Sequence, residues 1–445
     1  MNFHSEYKSK LRTAKKAVQI VKSGDWVDYT FGLTVPVALD QALADRKEEL
    51  KDVKVRGAFS SHPLQVIEKD PLRETFFYSS WHLSGYERRM SDKGLCNYCP
   101  MIFRNMPLYY NKSLTVDVAM FMVAPMDKYG YFNLSVTNSA NLAIAKNART
   151  VIVEVNTKMP RALGGNSEVI HISDVDYIVE GDNPDLYTVQ DIQPTEVDLK
   201  VAKQIVNKLE DGTNIQLGVG GMPNSVGKMI AQSDLRDLGM HTEMMVDAYL
   251  DIFKAGKLTN KRKNINKNKG IWTFCVGSKE LYDWVDDNPG LASYPVDYTN
   301  DPTIIGQQDK MVSINNCIEV DLFGQVSAES VGTRAISGTG GQLDFVTGAY
   351  QSKGGKSFVC FSSTYVDKKT GEVKSRVLPT LPSGEVVTDP RSQVHYFVTE
   401  WGMANLAGRS AWERAELIIG IAHPDFREEL IQDAQKMKIW RYSNK

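Results

Sequence analysis

The chain has 445 residues, with 52 basic against 54 acidic side chains, 42% hydrophobic and 9% aromatic residues. At roughly 150 residues per domain this allows two or three units with sizeable cores, which excludes disordered, collagenous and disulfide-scaffold classes. A net charge of −2 and a pI near 6.4 leave no electrostatic footprint for nucleic acid or an anionic membrane surface.

Met1-Asn-Phe-His-Ser-Glu-Tyr-Lys8 carries charges within eight residues and leads into no apolar core, so no secretory signal is expected. No run of 18 apolar residues predicts a membrane span. The five cysteines, Cys96, Cys99, Cys275, Cys317 and Cys360, are odd in number and mostly lie in apolar runs, which suits a reducing cytoplasm.

Helix and strand signals alternate along the chain, with Gly, Pro, Asn and Asp at the joins, the pattern of an α/β protein with mostly parallel sheets. Near the start, Ala17-x-Gln19-Ile20-Val21 precedes Gly24, a strand Trp26–Phe31, Gly32, Pro36 and a helix. Gly181-Asp-Asn-Pro184 and Gln193-Pro194 form a polar join between apolar segments, and the boundary is expected within 180–196. Thr195 then reads as a helix N-cap. Val197, Val201, Ile205 and Leu209 give that helix one apolar stripe, and it stops at Asp211-Gly212.

A strand Asn214–Leu217 follows, then Gly218-Val-Gly-Gly-Met-Pro-Asn224 and a helix through Val226, Met229 and Ile230 that ends near Gly239. This later stretch repeats the early grammar: Ala202-x-Gln204-Ile205-Val206, marker glycines at 212 and 220 as at 24 and 32, and a Pro within four residues of the second. The expected architecture is two related open α/β domains in tandem, 1–190 and 191–445. The charged stretch Lys257–Lys269, interleaved with Asn and lacking aromatics, reads as a solvated loop or surface hairpin.

The chemical motifs narrow by elimination. Cys96-x-x-Cys99 has no second ligand pair at zinc-site distance, and Pro100 follows where a redox motif would open a helix. There is no G-x-S-x-G and no Walker A motif. Gly218-x-Gly220-x-x-Pro223 departs from the dinucleotide fingerprint at its third glycine, although a non-catalytic or redox dinucleotide-binding protein stays open on these features alone. Two glycine loops remain, Gly218–Asn224 and Ser337-Gly-Thr-Gly-Gly-Gln-Leu-Asp-Phe345, and such loops let main-chain N–H groups receive an oxyanion or a phosphate. Between them Glu243 stands in the apolar segment Gly239–Met245 with no capping-box role, since the residue three beyond Thr242 is Met245. Read alone, it is either a buried paired or exposed glutamate or a catalytic one.

Leu217–Asn224, His241-Thr-Glu-Met244, Asn315-Asn316, Asp321-Leu-Phe-Gly-Gln325, Ala328-Glu-Ser330, Ser337–Phe345 and Ser352-Lys-Gly-Gly-Lys-Ser357 together resemble the acetyl-CoA hydrolase/transferase family of class I CoA-transferases. Lys22–Asp28, Val123–Met126, Val153–Asn156, Met159–Arg161, His171–Asp174 and Ile421–Phe426 extend the resemblance over essentially the whole chain, most closely to its butyryl-CoA:acetate branch and next to the 4-hydroxybutyrate branch. The resemblance implies the CoA-transferase fold and makes Glu243 the carboxylate that forms a glutamyl-CoA thioester. Gly220, Gly221, Met222, Pro223 and Asn224 match the first CoA-binding loop, while Ile318 and Gly341 fall on a strand and a second loop along the CoA arm. Gly338, Gly340 and Gln342 match less specifically. Lys356 stands equally as a phosphate contact or as a solvated lysine at a helix start.

A glutamate nucleophile is ionised at pH 7 without a general base, which accounts for the missing triad. The resemblance therefore implies transfer of coenzyme A between a short-chain acyl-CoA and a carboxylate, with CoA as substrate and no cofactor or metal. It also implies a homo-oligomer. A 4-hydroxybutyrate or propionate CoA-transferase and an acyl-CoA hydrolase using the same residues are the alternatives within the family. The acyl pocket would involve Tyr29, Phe31 or Met120–Met126, residues that an ordinary β-core explains equally well.

Overall fold

Seven parallel strands form the first of two large sheets in the computed structural model, which describes residues 3–189 and 193–442. The strands are β1 (Trp26–Phe31), β2 (Val53–Ala58), β3 (Phe76–Ser80), β4 (Cys96–Tyr98), β5 (Val116–Val123), β6 (Ala148–Val155) and β7 (Tyr177–Glu180), in the order β4-β3-β2-β1-β5-β6-β7. β1 and β5 are buried over nearly their whole length, as expected where both faces of a parallel sheet are covered.

After β1 the chain enters helix α1 (Val37–Ala44), whose N-cap is Pro36 and supplies no side-chain acceptor. Buried Glu154 on β6 substitutes, accepting from the N–H groups of Ala38 and Leu39 at 3.1 and 3.0 Å. Asp40 on the same helix accepts from the Tyr29 hydroxyl and the Gln65 and Val66 amides, and its burial raises its pKa to about 7. Tyr29 and Met120 are fully enclosed, and Phe31 packs among Phe59, Trp81, Phe103 and Phe274. All three lie in the core of this unit.

The second sheet contains β8 (Asn214–Leu217), β9 (Gly239–Met240), β10 (Met311–Asn316), β11 (Lys356–Cys360), β12 (Tyr396–Thr399) and β13 (Gly402–Asn405), in the order β9-β8-β10-β11-β12-β13. All pairs are parallel except the last. The order reverses at β8, so the carboxyl ends of β8 and β10 flank a topological switch point, where open α/β sheets bind ligands. A core around Val320, Val359, Phe397, Ile418 and Leu430 packs helices Ala411–Ile421 and Pro424–Lys436 on this unit.

The chain divides into one unit of residues 1–190 with 271–299 and another of 191–270 with 300–445. The sequence reading placed everything after 190 in the second domain. Instead, 271–299 belongs to the first, where Thr273 accepts from the amides of Asn138 and Ser139 and Tyr282 donates to the Tyr187 carbonyl. The expected boundary itself, at 190/191, lies outside the described residues, as do Met1 and Asn2. The two sheets share a mostly parallel character but differ in strand order. Among the described residues no helix is long and apolar enough to cross a membrane.

Helix α2 (Glu196–Val206) starts at the predicted N-cap, with Thr195 and Asp198 forming a capping box, but ends short of Gly212 because a turn intervenes. Helix α3 (Gly221–Gln232) ends seven residues before Gly239, which instead opens the edge strand β9. Gly227 sets how closely α3 packs: a Cβ there would lie 2.5 Å from Ala248 Cβ and 2.8 Å from Leu217 Cδ1. Gly227→Val should therefore lower stability by about 2 kcal/mol, through overpacking of a close-packed core. A denaturation midpoint equal to that of the parent would show that the helices can part at no cost.

Candidate active site

Three segments of the second unit meet the carboxyl edge of its sheet. The first leaves β8 through Gly218-Val219-Gly220 and enters α3. A Cβ on Gly218 would come 2.5 Å from Asn315 Oδ1, and one on Gly220 would come 2.8 Å from Asn316 Nδ2. Gly220 also sits at φ +126°, so the turn requires glycine on both counts. Asn315 is held in turn by a reciprocal amide pair with Gln216 across β8 and β10, at 3.0 and 3.1 Å.

Gly220 is the N-cap of α3 and offers no side-chain oxygen, so the first-turn N–H groups meet no side-chain cap. Val219, Gly220 and Gly221 are exposed, and a Cβ on Gly221 would meet only open space. Met222 and Pro223 belong to the first helical turn and are buried, Pro223 has no N–H, and Asn224 is half-buried. The sequence read these residues as a loop; they open a helix.

The second segment is β9 followed by His241, Thr242 and Glu243. His241 and Thr242 are fully buried. β9 leaves β8 after two paired positions, and the Leu217 N–H, which it no longer reaches, is taken by Tyr249 of helix α4 (Asp247–Lys254). The Tyr249 hydroxyl accepts from Leu217 N at 2.8 Å and donates to the Ile215 carbonyl at 3.3 Å. That substitution allows the strand to turn away from the sheet without orphaning its neighbour.

The third segment is the second glycine loop, which ends at Gly341, the N-cap of helix α5 (Gln342–Gln351). Its backbone N–H donates to the Glu243 carboxylate. Asn300, fully buried, donates from Nδ2 to Glu243 Oε2 at 2.6 Å. A Cβ on Gly341 would fall 2.0 Å from both Glu243 Oε2 and Asn300 Nδ2, so no other residue fits between the helix start and the carboxylate. Sequence analysis singled out Glu243 and Gly341 but missed Asn300. A lone Asn at the end of Tyr294–Asn300 carries no motif, and only the Asp301-Pro302 helix start beside it marks the place.

Glu243 keeps some exposure as a residue while protein atoms crowd its carboxyl group. Burial raises its pKa to about 7, and the hydrogen bonds from Asn300 and Gly341 limit the rise. Behind the loop, Glu329 accepts from the hydroxyls of Thr339 and Thr388, and buried Asp389 accepts from Gln342 Nε2 at 2.7 Å. These contacts fix both ends of the segment that presents Gly341. Gln342 thus ties the loop from behind, while Gly338 and Gly340 lie within it, Gly340 at φ +55°.

Ile318 lies two residues past the end of β10, half-buried, with its N–H on the Ser327 carbonyl and its own carbonyl taken by Arg376. Lys356 stands at the first residue of β11, a strand rather than a helix. It is therefore roughly 13 Å of strand from the carboxyl edge and lies near Glu210 at 3.7 Å.

A mostly parallel sheet with two glycine-started helices at its carboxyl edge and a desolvated glutamate under amide donors is an arrangement suited to acyl-transfer chemistry. Residues 1–187 match the acetyl-CoA hydrolase/transferase N-terminal domain and residues 277–434 its C-terminal domain. The chain belongs to the acetyl-CoA hydrolase/transferase family and is an enzyme of CoA transfer or hydrolysis. It is 54% identical to a probable butyrate:acetyl-CoA coenzyme A-transferase of Syntrophomonas wolfei, over 99% of this chain and 98% of that one. It is 53% identical to the butyryl-CoA:acetate CoA-transferase of Anaerostipes caccae over the full length of both. Among solved structures, RipA from Yersinia pestis superposes with a TM-score of 0.90 at 38% identity, over 99% of this chain and 100% of that one.

A carboxyl whose folded pKa lies above its unfolded value favours the fold below the unfolded pKa and loses that contribution as pH rises through the folded one. For Glu243 the window runs from 4.5 to about 7. Glu243→Gln should accordingly be more stable than the parent above pH 7, by at most about 3 kcal/mol, and match it near pH 4. Thermal melts at the two pH values measure the difference; a constant gap would mean that the carboxylate is not desolvated.

Proposed function

We propose that this enzyme moves coenzyme A between butyryl-CoA and acetate by a ping-pong mechanism with Glu243 as the covalent carrier. The observation that carries the reading is the convergence of Asn300 Nδ2 and Gly341 N–H on the Glu243 carboxylate. Donors set around a carboxylate also suit the oxyanion that forms when that same carbon turns tetrahedral, and one such donor is worth about 3 kcal/mol.

Glu243 Oε attacks the thioester carbon of butyryl-CoA, the C–S bond breaks, and CoA thiolate leaves an acyl-glutamyl anhydride. The thiolate then attacks Glu243 Cδ, and the C–O bond breaks to release butyrate and leave glutamyl-CoA. Acetate attacks the same carbon and expels the thiolate, which takes the acetyl group and returns Glu243 to the free carboxylate. One thioester is exchanged for another at each turnover, so the cycle calls on no ATP, metal or resident cofactor. The exposed start of α3 at Gly220 and Gly221 is suited to the anionic or carbonyl groups of CoA, with Met222, Pro223 and Asn224 completing that turn, and Ile318 is assigned to the CoA arm by the family resemblance alone.

The activities for which the S. wolfei and A. caccae relatives are named support butyryl and acetyl groups as the pair exchanged. Butyrate-forming fermentation in the cytoplasm, by a homo-oligomer, is the setting this reading gives the enzyme. Initial rates with butyryl-CoA and acetate varied together should give parallel double-reciprocal lines. Butyrate and free CoA released over many turnovers without any acceptor, beyond the one equivalent of butyrate that the first half-reaction yields, would identify a hydrolase instead, and faster turnover of 4-hydroxybutyryl- or propionyl-CoA would reassign the acyl group.

Because the attacking form is the carboxylate, kcat/KM for the acyl-CoA should rise with pH through about 7. Asn300→Ala removes a hydrogen bond that favours the ionised form, so the midpoint should move to higher pH. A midpoint that is unmoved, or moved to lower pH, would contradict the assignment of the titrating group.

A further inference from the structure

Lys263 belongs to the charged stretch 257–269 that the sequence presents as solvated, yet its side chain is among the largest fully enclosed in the protein, at 1% exposure. Its Nζ donates to the Met240 carbonyl at 2.8 Å and to the Lys269 carbonyl at 2.7 Å. Both acceptors are main-chain oxygens rather than carboxylates. An amine buried on carbonyls alone is costly to place, and one of the two carbonyls it holds belongs to the last residue of β9, three before Glu243.

The geometry of the edge strand explains what the amine does there. Gly239 N–H and His241 N–H point inward, to the carbonyls of Thr213, just before β8, and of Ile215 on it. The N–H and C=O groups of Leu238 and Met240 therefore point outward, where an edge strand has no neighbour. The segment after Gly256 takes the place of that neighbour. Leu238 N donates to the Lys257 carbonyl, and the Leu238 carbonyl accepts from Thr259 and Asn260 N. At Met240 side chains replace the backbone: Asn260 Oδ1 accepts from Met240 N at 2.9 Å, and Lys263 holds Met240 O. Met240 is thus gripped on both outward groups at the last position before the chain turns to place Glu243. The Lys263 stem packs against Gly239, where a Cβ would lie 2.9 Å from its Cγ.

We infer that Lys263 is a positioning residue for the reaction: by clamping the Met240 carbonyl it sets the exit of the edge strand so that Glu243 meets Asn300 and Gly341. The inference rests on the proposed role of Glu243. The hydrogen bonds of Lys263 go to Met240 and Lys269, outside both glycine loops, so its loss should act on the chemical step and leave CoA binding alone.

Lys263→Met keeps the aliphatic stem and removes the amine. With butyryl-CoA and acetate its kcat should fall at least tenfold while KM for butyryl-CoA stays within twofold, and borohydride should trap the Glu243 adduct correspondingly more slowly. A kcat within twofold of the parent, or a KM that rises in step with the loss of kcat/KM, would overturn the inference. If that variant does not fold, Asn260→Ala releases the other half of the clamp and must show the same split; a parental kcat there overturns it equally. Parent enzyme carried through the same trapping separates the two levels. An unlabelled parent removes both this inference and the function it rests on, whereas a labelled parent matched by the variants removes this inference alone.

Discussion

On the proposed mechanism, a carboxylate that attacks a thioester has to be dry and ionised at once, and the organisation of the second unit fits that requirement. Exclusion of water protects an anhydride from hydrolysis but drives the pKa of Glu243 upward. The counterweight is two donors, the Asn300 amide and the Gly341 N–H at the start of α5. They bring the group to a pKa of about 7, so a substantial fraction is anionic at neutral pH. The small size of Gly341 is part of the same arrangement, because any side chain there would occupy the carboxylate's position.

The sheet supplies the placement. Its order reverses at β8, and two strands flanking the reversal end in groups that need close packing, Gly218 and Gly220 against Asn315 and Asn316. The edge strand that leads to Glu243 is only two residues long and is released from β8 early, with Tyr249 completing the ladder behind it. Short pairing frees the segment that carries Glu243, and the clamp on Met240 limits that freedom. The Glu329 and Asp389 contacts do the same for the loop bearing Gly341. On this account the nucleophile and its donors are each fixed by groups that never meet substrate.

Much of this was legible in the amino-acid sequence because it depends on local rules. The Thr195 cap, the strands at 26–31 and 214–217 and the glycine turn after Leu217 follow from periodicity and backbone chemistry. Glu243 stood out as a carboxylate in an apolar segment with no capping role. What escaped depends on contacts between distant segments. Asn300 acquires its meaning 57 residues from its partner. Lys263 sits in a run whose composition says solvent, while the fold places it under an open strand edge. Residues 271–299 read as continuous with what precedes them, because no composition shift marks where the chain joins the first unit. The helix predicted to reach Gly239 ends at Gln232, since an edge strand of two residues is too short to announce itself.

The central claim is that Glu243 carries coenzyme A as a thioester between the two half-reactions. Incubation with butyryl-CoA in the absence of acceptor, reduction with borohydride and peptide mass spectrometry tests it directly. The account predicts one modified residue, with the Glu243 carboxyl reduced to the alcohol. It also predicts that acetate added before the quench abolishes the modification. An unmodified Glu243, or modification at Glu319 or Glu329 in its place, would contradict it.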